Sequence, residues 1–170
     1  MGFMLSERSL SFVTRVDPRL VAVARRAITL SDQDFGFTEP QSRTVAEEAA
    51  LVERGVSHTL RSHHIIDCEG PGRWAAPGCS GAIDCVPWDG RAFVWEWPRI
   101  YPIAAAMRAA SDALATPITW GGVWDRLMSE YGASASDIAA AEQAYAARQR
   151  AVGDHRVLLD GPHFELGRNN

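Results

Sequence analysis

Hydrophobic residues recur at helical spacing along much of the chain. The first helix is predicted to begin at Asp17-Pro18, because aspartate is a good N-cap and proline fits the first helical position. Its apolar face comprises Leu20, Val21, Val23, Ala24 and Ile28. The segment Thr44-Val45-Ala46-Glu47 matches a capping box. It therefore predicts a second helix, which ends near Gly55.

The second half of the chain alternates between helical and extended patterns. Residues 83–97 predict a strand, a turn and a strand, because Asp89-Gly90 is a strong hairpin signal. Helices are predicted at about 98–114 and, with Ser136 as the cap, up to about residue 152. Short strands are predicted at 118–120 and 164–166. Strands mixed with segregated helices indicate an α+β fold.

Length and composition restrict the class of protein. A chain of 170 residues fits one domain, spanning 1–170, with a real hydrophobic core. No segment approaches the roughly 18 uninterrupted apolar residues of a membrane span, so we expect no membrane insertion. The N-terminus lacks a signal-peptide pattern, so we expect synthesis in the cytoplasm. A net charge of −4 gives no support to a nucleic-acid partner.

The three cysteines are Cys68, Cys79 and Cys85. An odd number with no CxxC pair argues against a disulfide scaffold and against a zinc ribbon. A local Cys68–Cys79 disulfide in an oxidising compartment stays open as an alternative.

Metal-type ligands occur in three separate segments, with His64, Asp84 and His163 as the candidates. Two imidazoles and one carboxylate can hold a zinc ion and leave a fourth position open for water, as catalytic zinc sites do. The alternative for a loop histidine is plain solvation. Asp84 lies in an apolar strand, where an unpaired carboxylate is costly to bury. A metal ion or an arginine partner would remove that cost.

Two acidic residues near His163 are candidates for supporting roles. Asp160 is placed to handle the proton of a metal-activated water, although Asp160-Gly161 is also a common turn dipeptide. Glu165 falls on the same strand face as His163. It is predicted either to orient a histidine or to occupy an exposed strand position.

Three further residues are candidates for contacts with a substrate. Arg43, just before the second helix, is either a surface arginine or an anchor for a carboxylate or an oxyanion. Trp120 and Trp124 flank Gly121-Gly122, where bare backbone can line a groove. The alternative for both tryptophans is the core.

The order of these motifs resembles the zinc peptidases that cut peptidoglycan stem peptides. These are the phage L-alanyl-D-glutamate endolysins and the related D-alanyl-D-alanine carboxypeptidases. The matching stretches are 5–10, 42–44, 59–64, 81–84, 120–125 and 160–166. They are spread over nearly the whole chain. The pieces Ser62-His63-His64, Gly81-Ala82-Ile83-Asp84 and 160–166 are quite specific in combination.

The resemblance implies a small antiparallel sheet with helices packed beside it, in a single domain. It implies Zn2+ held by His64, Asp84 and His163, with Asp160 as the catalytic acid/base and Arg43 in contact with substrate. His64 is preferred to His63 because it holds the third position after Ser62. The implied substrate is a peptidoglycan stem peptide, cut after release of a monomeric endolysin from the host cytoplasm.

The chain departs from the family pattern in three places. His64 and Asp84 stand twenty positions apart, farther than the family usually places them, because of an insertion at about 65–80. If this insertion does not loop out, Asp67 is the alternative ligand. Residues 39–43 replace a shorter turn, so the resemblance does not determine the direction in which the Arg43 side chain points. A helical insertion at about 127–155 is expected to form a lid or a wall-contacting face.

Three alternatives to an endolysin follow from the same residues. One is a D-alanyl-D-alanine carboxypeptidase, which would need export. Another is a non-catalytic wall-binding or virion protein that keeps zinc only for structure. The last is a soluble factor whose insertion cysteines bind a separate metal.

Overall fold

Helices and a small sheet enclose the core in the computed structural model, which describes residues 2–57, 59–67, 75–154 and 156–167. The helices are α1 (Glu7–Ser11), α2 (Pro18–Leu30), α3 (Val45–Glu53), α4 (Trp97–Ala113) and α5 (Ala135–Ala151), with a 3-10 turn at Met128–Glu130. The strands are β1 (Phe35–Gly36), β2 (Ala82–Asp84), β3 (Val86–Pro87), β4 (Ile118–Trp120), β5 (Val123–Leu127) and β6 (His163–Leu166).

The main sheet has four strands in the order β2-β6-β4-β5, and every neighbouring pair is antiparallel. The short strands β1 and β3 form a second antiparallel pair. The predicted α+β class, with a small antiparallel sheet beside helices, is confirmed. The last strand of the chain lies inside the sheet, between β2 and β4, so it joins segments that are distant in sequence.

The core lies between the helical pair α2 and α4 and the main sheet. Leu20 and Val23 of α2 are completely buried, as are Ile103 and Met107 of α4. The predicted cap of α2 is present, because the carboxylate of Asp17 accepts a bond from the Arg19 N–H at 2.9 Å. No helix among the described residues is both long enough and apolar enough to cross a membrane.

The hairpin prediction for residues 83–97 is only partly right. The turn is present, since Gly90 has φ +96° and the Asp89 N–H donates to the Ala92 carbonyl at 3.1 Å. The second strand does not form, and a single bridge joins Trp88 to Phe93. The first strand, β2, pairs with β6 instead. A turn signal fixes the bend, whereas the partner of a strand depends on distant residues.

The last helix begins two residues earlier than predicted. Ser134, rather than Ser136, is its cap, and Ser134 and Asp137 bond reciprocally in a capping box. This helix, α5, packs against α4 and β5, within the region 127–155 that the sequence suggested as a lid or a wall-contacting face.

The other predicted insertion, at about 65–80, is described only at its two ends. Cys68 lies outside the described residues, so the Cys68–Cys79 disulfide stays a prediction. At the far end, the Ala76 N–H donates to the Asp17 carboxylate at 2.7 Å. This bond ties the chain that enters β2 to the start of α2.

A candidate metal centre and its cavity

Two of the three candidate ligands face each other across paired strands. In the antiparallel register of β2 and β6, Asp84 lies directly opposite His163. Side chains in such a pair are close neighbours on one face of the sheet. His64 comes from the loop that precedes β2. Its carbonyl accepts from the Arg43 N–H at 2.8 Å, and the His63 carbonyl accepts from the Gly81 N–H at 2.8 Å.

The three ligand atoms form a nearly equilateral triangle. Nε2 of His64 lies 3.3 Å from Oδ1 of Asp84 and 3.3 Å from Nδ1 of His163, and the last two atoms are 3.2 Å apart. Tetrahedral zinc bonds of about 2.0–2.1 Å place neighbouring ligand atoms about 3.3–3.4 Å apart. The triangle therefore has the size of one face of a zinc tetrahedron.

The hydrogen bonds behind the two histidines determine which ring atoms carry lone pairs. Nδ1 of His64 donates to the Gln41 carbonyl at 2.8 Å, so its Nε2 is the unprotonated atom of a neutral ring. Nε2 of His163 donates to Glu165 at 3.0 Å, so Nδ1 is the atom that carries the lone pair whenever this ring is neutral. Two lone pairs and a carboxylate then converge on one point, and such a donor set fits a cation.

The pKa values of Asp84 and His163 also indicate that the centre favours a bound positive charge. Burial would raise the pKa of Asp84, but His64 and His163 hold it well below its ordinary value. Burial would lower the pKa of His163, but its bonds to Asp84 and Glu165 raise it to about 10. A proton on Nδ1 of His163 and a metal ion therefore compete for the same place.

Glu165 supports the centre from behind His163. Its Oε2 accepts from His163 at 3.0 Å and lies 3.1 Å from Nδ1 of His63. Burial would raise the pKa of Glu165, but these two histidines lower it to about 2. The carboxylate thus stays ionised and keeps the His163 ring in one orientation.

Gln41 connects two of the ligands and was not singled out by the sequence analysis. It is 1% exposed. Its main-chain carbonyl accepts from His64, and its side-chain oxygen accepts from the Asp84 N–H at 2.6 Å. Its amide nitrogen donates to the Glu39 carbonyl at 2.7 Å. Only the tertiary contact identifies this role, because a glutamine before an arginine carries no chemical signal of its own.

Asp160 lies in a turn beside the centre, and its side chain is exposed to the cavity. Its N–H donates to the Gly121 carbonyl at 2.9 Å, and its carbonyl accepts from the His163 N–H at 3.2 Å. A Cβ on Gly121 would come within 2.2 Å of the Asp160 carbonyl oxygen, so this close approach requires glycine. Although the side chain reaches solvent through the cavity, the surrounding protein partly desolvates the carboxyl group and, with the nearby Asp84, raises its pKa against the opposing effect of His163 and His64.

Arg43 is held by a buried carboxylate at the base of α3. It donates to Glu48 at 2.9 Å, and Glu48 also accepts from the Ser57 hydroxyl at 2.6 Å. Glu48 is 0% exposed. A second acid, Glu39, lies 3.7 Å from the guanidinium. Arg43 is therefore fixed in place and largely neutralised by the protein itself, a feature that the sequence did not reveal.

The centre opens into a cavity of about 560 Å³. Besides the three ligands, the sequence-predicted residues that line it are Arg43, Ser62, Trp124, Asp160 and Glu165. The Trp124 ring packs against the His163 ring with centroids 5.1 Å apart. The Ser62 hydroxyl accepts from the His64 N–H at 3.3 Å.

Trp120 and Asp67 lie elsewhere. Trp120 is completely buried and donates to the Gly161 carbonyl at 2.6 Å, so it supports the Asp160-Gly161 turn from the core side. The carboxylate of Asp67 accepts from the Gly78 N–H at 2.7 Å, within the insertion. Among the described residues, the one cluster able to hold a metal is His64, Asp84 and His163.

Comparison with known proteins identifies the family of the chain. The family model described as phage L-alanyl-D-glutamate peptidase matches residues 1–139, which include His64 and Asp84. The structure is also similar to the crystal structure of Serratia marcescens L-Ala D-Glu endopeptidase ChiX, with a TM-score of 0.63 and 26% sequence identity. The match covers 97% of this chain and 90% of that chain. No curated protein matches the chain. The chain belongs to the phage L-alanyl-D-glutamate peptidase family.

Proposed function

We propose that the protein is a zinc peptidase that hydrolyses the L-alanyl-D-glutamate bond of peptidoglycan stem peptides, as a phage or prophage endolysin. Family membership supports a peptidase that cleaves peptidoglycan. The observation that carries the choice of zinc is the triangle of His64, Asp84 and His163, whose edges of 3.2–3.3 Å match tetrahedral zinc. We expect the enzyme to act as a monomer on the cell wall after its release from the host cytoplasm.

The two histidines and Asp84 would hold the metal and leave a position open toward the cavity. The chemistry that a bound zinc ion supplies is Lewis acidity toward the scissile carbonyl and toward an attacking water. Gln41 and Glu165 hold the ligands in a fixed orientation through the bonds described above. Preorganised ligands of this kind need no rearrangement when substrate arrives.

Asp160 is the proposed acid/base. Its side chain opens to the same cavity as the three ligands, and partial desolvation by the surrounding protein raises its pKa. A carboxylate whose pKa lies closer to neutrality accepts a proton from water and then returns it to the leaving amine more readily. Arg43, which Glu48 and Glu39 hold in place, is proposed to donate to a substrate carbonyl or carboxylate.

Mass spectrometry of digested peptidoglycan tests the proposed bond. Purified peptidoglycan is incubated with the protein, with the protein plus a chelator, and with the chelated protein after zinc is restored. We expect new peptides with N-terminal D-glutamate in the first and third samples only. Release of free D-alanine alone would identify a carboxypeptidase instead. No cleavage by a folded, zinc-loaded sample would favour a non-catalytic wall-binding protein.

A further inference from the structure

Two arginines that line the cavity have no part in the proposed chemistry. They are Arg54 and Arg61, which line it together with Arg43. Both are exposed, and within the part of the chain that the structure describes neither side chain makes a hydrogen bond or an ion pair. Arg43 differs, because it is bound to Glu48. Two cationic side chains therefore border the cavity without an anionic partner among the described residues.

Hydrogen bonds hold the backbone at both arginines. Arg54 is the C-cap of α3, and the next residue, Gly55, has φ +70°. The Gly55 N–H donates to Val52 and the Val56 N–H to Leu51, a Schellman arrangement that fixes the helix end. The Arg61 N–H donates to the Thr59 hydroxyl at 3.0 Å. The two guanidinium groups thus extend from defined points on the rim.

Three of the four acids that line the cavity have partners other than these arginines. Asp84 and Glu165 are bound to the histidines of the metal centre, and Glu39 lies beside Arg43. The fourth, Asp160, is the proposed acid/base. Two unpaired guanidinium groups suit an anionic ligand, because guanidinium groups bind carboxylates through paired, charge-assisted hydrogen bonds.

The proposed substrate offers such a group close to the scissile bond. A D-glutamyl residue that follows L-alanine has two carboxyl groups, and only one of them can continue the chain. The other is a free carboxylate, or an amide where the stem peptide is amidated. It belongs to the leaving-group side of the cut, within a few bonds of the scissile nitrogen.

We infer that Arg54 and Arg61 bind the free carboxylate of this D-glutamyl residue, so that the enzyme selects stem peptides whose glutamate is unamidated. The inference rests on the proposed function and adds a determinant of specificity to it. An amide in the same place has no charge and presents N–H donors to other donors. A site built for one polar group discriminates against an analogue that cannot complete its bonds.

A matched pair of synthetic stem peptides tests the inference. The two peptides differ only in whether the free carboxyl of D-glutamate is an acid or a carboxamide. Values of kcat/KM are measured with zinc-loaded wild type, Arg54→Gln, Arg61→Gln and the double variant. Arg26→Gln is the control, because Arg26 is an exposed arginine on α2 outside the cavity.

We expect wild type and Arg26→Gln to prefer the acid by about tenfold, the scale of a charge-assisted contact at an exposed site. In the double variant, kcat/KM for the acid should fall to that for the amide, whose value should not change. Equal cleavage of both peptides by wild type would overturn the inference alone, as would a preference that survives in the double variant. Failure of zinc-loaded wild type to cut either peptide after L-alanine would overturn the proposed function and the inference with it.

Discussion

Two sets of residues that line the cavity are held in opposite ways. Among the candidate ligands, His64 and His163 are 4% and 7% exposed, and each inward-facing ring is held from behind by a second hydrogen bond. Arg54 and Arg61, by contrast, are exposed and lie at a helix end and in a loop. In the proposed mechanism the buried set holds the metal, whereas the two exposed arginines recognise the substrate.

The largest effect is expected from removal of the anionic ligand. Asp84→Asn should lower zinc affinity by at least about a hundredfold and abolish peptidoglycan cleavage, because a neutral amide is a poor zinc ligand. Competition with a chromophoric chelator measures the affinity. Asp67→Asn is the matched control, since this acid lies in the insertion and bonds to Gly78. Equal loss of zinc in both variants would contradict the assignment of Asp84.

The next largest effect separates catalysis from metal binding. Asp160→Asn should reduce kcat by about a hundredfold to ten-thousandfold, the usual range for loss of a general acid/base. Zinc content and thermal stability should stay close to those of wild type, because the side chain is exposed to the cavity. Full activity in the zinc-loaded variant would show that Asp160 is not the acid/base.

A smaller effect tests the support behind the ligands. Gln41→Ala removes the acceptor for the Asp84 N–H but keeps the carbonyl that holds His64. Zinc affinity should fall by about tenfold to a hundredfold, as is typical when a residue that orients a ligand is lost. Gln33→Ala is the control, because it removes part-buried amide bonds to the Asp34 and Trp88 carbonyls, away from the centre. If both variants bind zinc as wild type does, Gln41 serves stability alone.

The smallest effect concerns pH and distinguishes a proton from a metal at the centre. Folding raises the pKa of His163 from 6.5 to about 10, so the folded metal-free protein keeps a proton that the unfolded chain has lost. The stabilisation that this proton provides is complete below about pH 6.5 and disappears as the pH rises through about 10. Urea unfolding should therefore show decreasing stability of the metal-free protein over this range. The zinc-loaded protein should lack this trend, since the metal takes the place of the proton.

The sequence indicated the candidate ligands better than it predicted the sheet. Residue type and the motif order of the family resemblance selected His64, Asp84 and His163, and the structure brings these three into one cluster that could hold a metal. The pairing of β2 with β6 was not predictable from local periodicity, since Asp84 and His163 are 79 residues apart. The same limit explains the missing strand after Asp89-Gly90.

The residues that hold the ligands and Arg43 in place could not be predicted, for a related reason. Gln41 and Glu48 act through contacts that exist only in the folded chain, and neither residue type signals such a role. Trp120 was a candidate for substrate contact, with the core as its alternative, and it is buried in the core. A sequence pattern indicates which residues are near one another more readily than it indicates which way they point.

The most direct test is a crystal structure of the zinc-loaded protein with anomalous data at the zinc edge. We predict one zinc ion bound by Nε2 of His64, Oδ1 of Asp84 and Nδ1 of His163, with a fourth position open toward Asp160 and the cavity. Zinc held by Asp67 or by the cysteines, or a centre closed by a fourth protein ligand, would contradict the proposed catalytic site.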